Sequence, residues 1–276
     1  MTTPYSSAPM ETTPTPLMSA ADCGDTQLQE SFVHILEEGL VTPQYQPIVN
    51  LVNDGLVGWE GLIRGPKDTA LESPLALFAL AERLGHLRDL ERLCRERTIA
   101  GADLQPQEKL FLNIHPRTLT DPTFREGETR TLIETRQLRA DRIVFEITEH
   151  QAIDDYALLR RVVNHYRKQG YQIALDDTGA GYSGLVTLME VKPDVVKIDM
   201  NLIRRLHEDQ TKQDIVRAIC QVSSGFGAVV IAEGIETPEE LAAVRRCGVP
   251  YGQGYLLGVP THRCRVQPLD PPGLFG

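Results

Sequence analysis

Short apolar runs rich in β-branched residues alternate along this chain with longer stretches of helical spacing. The runs are QYQPIVNL (44–51), GLVGWEGLI (55–63), EKLFLNI (108–114), RIVFEIT (142–148), YQIALDD (171–177), DVVKID (194–199), GAVVIAE (227–233) and GQGYLL (252–257). Helical patterns fill 74–102, 154–170, 214–227 and 238–248, and TQLQESFVHILEEG from Thr26 reads as a capped amphipathic helix stopped by Gly39. Eight strand candidates alternating with helices predict an α/β chain, a TIM-like (β/α)8 barrel, with a doubly wound open sheet as the competitor. Only Asn53-Asp54-Gly55 separates the first two runs, which predicts a hairpin and so one antiparallel strand near the N-terminus.

Polar residues fall at the ends of these runs. Glu60 closes LVGW, Asn113 closes LFL, Glu146 closes RIVF, Asp176 and Asp177 close QIAL, Lys197 closes DVV and Glu233 closes VVIA, while Gln253 is read as lying within the last strand. Buried singly in a core, each would cost several kcal/mol. At the C-terminal rim of a parallel barrel they would instead share one site. Oxygen donors of this kind select hard divalent cations, Mg²⁺ or Mn²⁺. Neighbouring Asp176 and Asp177 would point to opposite faces of a regular strand. The glycine-containing turn after them lets both reach the rim, one bridging two ions and one binding a single ion.

Composition narrows the choice of ligand. With 28 basic and 38 acidic residues in 276, the net charge is −10, so no broad basic face awaits duplex nucleic acid. An anionic substrate needs a local reversal of sign, which bound metal ions would supply. No apolar run reaches the roughly 18 residues of a membrane span. The five cysteines contain no CxxC pair and read as reduced thiols of a cytoplasmic protein. Residues 1–25, rich in Thr, Ser and Pro and without Lys or Arg, read as a disordered tail. No HExxH, HxH, GxSxG or Walker A motif competes with the acidic pattern.

In this order the motifs YQPIV (45–49), WEGLIRG (59–65), LNIHP (112–116), FEITE (145–149), DDTGAGYSGL (176–185), VKID (196–199), AEGIE (232–236) and QGYLLG (253–258) resemble the EAL family of cyclic di-GMP phosphodiesterases. The resemblance spans roughly residues 28–260 and implies a catalytic domain over 26–270. It implies a barrel with an antiparallel strand, and hydrolysis of cyclic di-GMP to linear pGpG with two ions of Mg²⁺ or Mn²⁺. By position, Glu60, Asn113, Glu146 and Asp176 would hold the first ion, and Asp176, Asp177 and Glu233 the second. Lys197 would orient the attacking hydroxide, with Glu233 alternatively a general base. Glu149 would order the loop after Asp177, and Gln46, Leu62, Arg64 and Gln253 would contact substrate. Glu236 is a candidate in the same set, behind the ligands, and Asp199 a lesser one; His115 is read as structural. The resemblance also implies a homodimer.

Two positions depart from the family pattern. Gly61 replaces the motif's alanine, and Thr178 replaces the phenylalanine expected to anchor the loop carrying Asp177. Every ligand and the lysine are kept, so an active enzyme is the primary reading. The alternative is a weakly active or inactive domain serving as a cyclic di-GMP receptor or protein-interaction module.

Overall fold

The computed structural model describes residues 20–116, 127–148, 156–179 and 184–265. Eight strands form: β1 Thr42–Asn50, β2 Leu56–Arg64, β3 Lys109–Asn113, β4 Ile143–Thr148, β5 Gln172–Thr178, β6 Val195–Ile198, β7 Val229–Ala232 and β8 Tyr251–Gly252. They hydrogen-bond in that order into a closed barrel rather than an open sheet. β2 through β8 pair in parallel, whereas β1 runs antiparallel to both its neighbours, β2 and β8. The cause is local. Asn50 Oδ1 accepts from the Val52 amide at 2.8 Å, Asn53 Oδ1 accepts from the Gly55 amide at 3.0 Å, and Asp54 takes φ 57°. A return this short can only be antiparallel.

Nine α-helices surround the strands among the described residues: α1 Ala20–Glu38, α2 Pro74–Leu84, α3 Leu87–Gly101, α4 Glu128–Thr135, α5 Tyr156–Lys168, α6 Gly184–Val191, α7 Met200–Ile203, α8 Gln210–Gly225 and α9 Pro238–Arg246. α1 begins at Ala20, ahead of the expected Thr26, and residues 1–19 of the expected tail lie outside the described residues. The single helical pattern over 74–102 becomes two helices, because Gly85 adopts φ 75° and closes α2. The last apolar run also differs: β8 is only Tyr251–Gly252, so Gln253 follows the strand instead of lying in it. None of the described helices is long and apolar enough to cross a membrane.

Three apolar clusters hold the fold. The largest joins the outward faces of the strands to the helices, with Phe145, Ile173, Val196 and Val230 meeting α5, α8 and α9. A second binds α1, α2 and α3 to Val41 and Ile63 through Phe32, Leu77 and Leu90. The third fills the barrel interior with Ile48, Phe111, Val144, Ala174, Val195 and Ile231, the layer on which the mouth rests.

Gly61 gains its explanation where β2 packs against α3. A Cβ at Gly61 would lie 2.3 Å from Thr98 Cγ2, so the space of the expected alanine methyl is filled from α3. Thr98 is itself buried, and its hydroxyl donates to the Cys94 carbonyl at 2.8 Å. Gly61→Ala should therefore cost about 1–3 kcal/mol in urea unfolding, as overpacking does. Adding Thr98→Ser, which removes the methyl and keeps the hydroxyl, should recover most of that loss. Equal stability of Gly61→Ala and the wild type would refute the contact.

Candidate active site

Strand periodicity places the polar residues. On five parallel strands an interior apolar residue is followed two positions later by a polar one: Phe111 by Asn113, Val144 by Glu146, Ala174 by Asp176, Val195 by Lys197 and Ile231 by Glu233. Side chains two apart share a face, so packing the apolar layer drives the polar set into the barrel mouth. β1 runs the other way, and there Gln46 precedes Ile48; it stands directly opposite Glu60 of β2. Gln253 follows Tyr251, which packs on the same interior layer.

Lys197 is the centre of this mouth. Its side chain is fully buried, and Nζ lies 2.8 Å from Glu146 Oε1, 2.8 Å from Glu233 Oε1, 3.1 Å from Asp176 Oδ1 and 3.6 Å from Glu60 Oε1. Burial by itself would lower the pKa of the ammonium. Asp176, Glu146, Glu233 and Glu60 outweigh that and hold Lys197 well above the ordinary lysine value. One cation does not satisfy four acids. Burial raises the carboxyl of Glu146 well above the usual range despite Lys197, and burial together with Asp176 does the same to Glu233.

Amides frame the acids. Gln253 Nε2 donates to Glu60 Oε2 at 2.5 Å and to Gln46 Oε1 at 3.0 Å; Gln46 Nε2 donates to the Gly258 carbonyl at 3.1 Å. Asn113 Nδ2, at the exposed rim, lies 3.4 Å from Glu60 Oε1. Gln253 is fastened by its backbone, which donates to Ala232 O at 2.8 Å and accepts from the Ile235 amide at 3.1 Å. Gly254 makes that approach feasible, since a Cβ there would lie 2.2 Å from Ile235 N.

The paired aspartates turn together through a break in pairing. The β5–β6 register shifts between Leu175 and Thr178, and Asp177 itself adopts φ 56°. The bend thus lies at Asp177, ahead of the glycine-containing turn expected to supply it. It brings oxygens of Asp176, Asp177 and Glu233 within 4.8 Å of one another. Thr178 closes the bulge as the last residue of β5: it pairs with Ile198, is buried, and its hydroxyl lies 3.4 Å from Leu175 O. Residues 180–183 of the following loop, and Glu149, lie outside the described residues.

Other candidates fall farther from Lys197 or take other partners. Leu62 and Arg64 are half-buried on β2, with Arg64 Nη1 donating to the Ile63 carbonyl at 2.9 Å. Glu236 is exposed and forms a two-pronged ion pair with Arg204, at 2.5 and 3.0 Å. Asp199 caps α7 by accepting from the Asn201 amide at 2.8 Å, and the His115 amide donates to Glu91. Two structural features lie outside the residues the strand-end pattern points to: Arg204, and the capping box of Thr237 and Glu240 at the start of α9. The T-x-x-E spacing of 237–240 carries that second signal.

The donor set fits a hard divalent cation. All its donors are oxygens, and both carboxylate oxygens of fully buried Glu146 lack a hydrogen-bond partner among the described residues, although Lys197 stands beside one of them. Removing the ammonium should therefore unbalance the metal-free protein. In EDTA, Lys197→Met should lose roughly 3–5 kcal/mol in urea unfolding. The loss should be greater at about pH 8 than at about pH 5. A carboxyl whose folded pKa is raised contributes stability below its unfolded value of about 4.3, and that contribution is lost as pH rises through the folded value. A loss independent of pH, or none, would contradict this electrostatic account.

The EAL domain model matches residues 26–260. The chain is 30% identical over 221 residues to the cyclic di-GMP phosphodiesterase PdeF of Escherichia coli, covering 78% of this chain and 29% of that protein. It spans less than half the length of the first curated relatives it matches. Among solved structures, Klebsiella pneumoniae BlrP1 with manganese and cyclic di-GMP superposes with a TM-score of 0.73 at 31% identity, over 80% of this chain and 56% of BlrP1. A standalone EAL protein of Vibrio cholerae with cyclic di-GMP bound gives 0.70 at 31% identity, over 83% of this chain and 96% of that one. Sequence, barrel topology and the acidic mouth agree, and the chain belongs to the EAL domain family.

Proposed function

We propose that this chain hydrolyses cyclic di-GMP to linear pGpG with the aid of two divalent cations, Mg²⁺ or Mn²⁺. The observation that carries the reading is the set Glu60, Asn113, Glu146, Asp176, Asp177 and Glu233, kept complete around buried Lys197 at one barrel mouth. Glu60, Asn113, Glu146 and Asp176 would hold the first ion, and Asp176, Asp177 and Glu233 the second. Bound there, the ions supply charge for the phosphoryl oxygens and acidify a water nucleophile.

The protein's own groups do the rest. Lys197 presents a fixed, buried ammonium to charge that develops on the phosphodiester. Glu233 is alternatively a general base for the attacking water, standing 2.8 Å from Lys197. Gln46 and Gln253 hold Glu60 through their shared hydrogen bonds and offer amides to the substrate. Arg64, at the end of β2, supplies a guanidinium for a phosphate oxygen, and Leu62 an apolar wall. Glu149 orders the loop beyond Asp177, and Glu236 acts through Arg204. A homodimer belongs to the same proposal: α6, which follows the Asp177 turn, leaves Val186 and Met189 exposed. So does a cytoplasmic setting, in keeping with free Cys94, Cys220, Cys247 and Cys264.

The test is incubation of the purified protein with cyclic di-GMP in Mg²⁺ or Mn²⁺, with products separated by chromatography. Linear pGpG should appear, should vanish with EDTA, and should fall at least about 10³-fold in Glu60→Ala. Binding without product would replace the enzyme reading with a receptor. Neither binding nor product would leave a protein-interaction module.

A further inference from the structure

Glu240 sits in the first turn of α9, away from the barrel mouth, yet its carboxylate is buried and fully engaged. Oε1 accepts from the Arg205 amide at 2.9 Å; Oε2 accepts from the amides of Glu236 at 2.9 Å and Thr237 at 3.2 Å. Burial works against its charge, but the three amides and Arg204 prevail and hold the carboxyl below the ordinary glutamate value. Capping α9 needs only the Thr237 bond. The bond to Arg205 reaches a different segment, the left-handed turn after α7, where Arg205 takes φ 55°.

Those two segments continue from β6, which carries Lys197, and from β7, which Glu233 directly follows. From Lys197 on β6 the chain runs through α7 to Arg205, and from the end of β7 it runs through Glu233 to Glu236. The strand ends meet where the Glu233 amide donates to Ile198 O at 3.1 Å. Gly234 then presses on α7, a Cβ at that position falling 2.5 Å from Met200 Cβ. Lys212 of α8 braces the same turn by donating from Nζ to Asn201 O at 2.6 Å and Arg204 O at 2.8 Å. The pair Lys197–Glu233, 2.8 Å apart, thus stands at one end of two segments whose other ends share one carboxylate.

We propose that Glu240 is a positioning residue, which sets the separation of Lys197 and Glu233 by fastening the backbone beyond each strand to a single buried carboxylate. Its activity readout rests on the phosphodiesterase reading; its backbone readout does not.

The experiment compares Glu240→Ala with Thr237→Ala. The second removes the hydroxyl that caps the Glu240 amide at 3.2 Å and leaves the Arg205 bond in place. Both should lower the melting temperature. Only Glu240→Ala should lower kcat on cyclic di-GMP, by about tenfold or more with KM within about twofold, since small misplacements of reacting groups are costly. Hydrogen exchange should quicken at the Arg205 and Glu233 amides in Glu240→Ala and stay unchanged there in Thr237→Ala. Should the alanine variant fail to fold, Glu240→Gln decides: a lower kcat with faster Arg205 exchange supports the proposal, and wild-type behaviour in both overturns it. Equal destabilisation in the two alanine variants, with kcat and those amides unaffected, would reduce Glu240 to a helix cap. Should the wild type not hydrolyse cyclic di-GMP, the phosphodiesterase reading fails, and exchange at Arg205 and Glu233 still decides the proposal.

Discussion

Four carboxylates share one ammonium in the mouth of this barrel, and the rest of the site follows from that imbalance. Lys197 lies within 3.6 Å of Glu60, Glu146 and Asp176, each on a different strand, and of Glu233 just beyond the end of β7. Desolvation penalises every one of these charges, and only mutual attraction or an added cation offsets it. Without a metal, burial therefore pushes the carboxyls of Glu146 and Glu233 well above the usual range. A cluster so short of positive charge has the donor chemistry that suits divalent cations.

The barrel makes the cluster affordable. Its interior layer of Phe111, Val144, Ala174, Val195 and Ile231 is dry and closely packed, and the polar set begins one step above it. Antiparallel β1 contributes what a wholly parallel barrel would place differently, because its reversed direction sets Gln46 opposite Glu60 in register. Gln253 then ties both across the seam where β8 meets β1. The bulge at Asp176 and Asp177 is the other local departure, and it gathers two adjacent carboxylates that a regular strand would send apart.

Packing outside the mouth is as specific as the chemistry within it. Thr98 fills the space beside Gly61, so the glycine in the WEGLIRG segment is one half of a steric pair and leaves no void. Thr178 belongs to the β5 register and is buried at its end, a structural member of the sheet. Behind β6 and β7, backbone segments beyond Lys197 and Glu233 converge on Glu240 and on the Arg204–Glu236 pair. Hydrogen bonds several residues removed from Lys197 and Glu233 thus join the backbone segments that follow them.

Short runs rich in β-branched residues, closed by polar ones, mark eight strands in order, because β propensity and apolar patterning are local properties of the sequence. The Asn53-Asp54-Gly55 turn likewise declared the antiparallel strand, since so short a return permits no other geometry. Motif order carried the family and the acids Glu60, Glu146, Asp176, Asp177 and Glu233. What the chain order left open was set by contacts between distant segments. Closure of the barrel, the seating of Lys197 among four acids, the filling of the Gly61 space by Thr98, and the fastening of Arg205 to Glu240 all join residues remote in sequence. Strand length at β8 and the site of the Asp177 bend were misjudged for the same reason: pairing partners, not local propensity, end a strand or break its register.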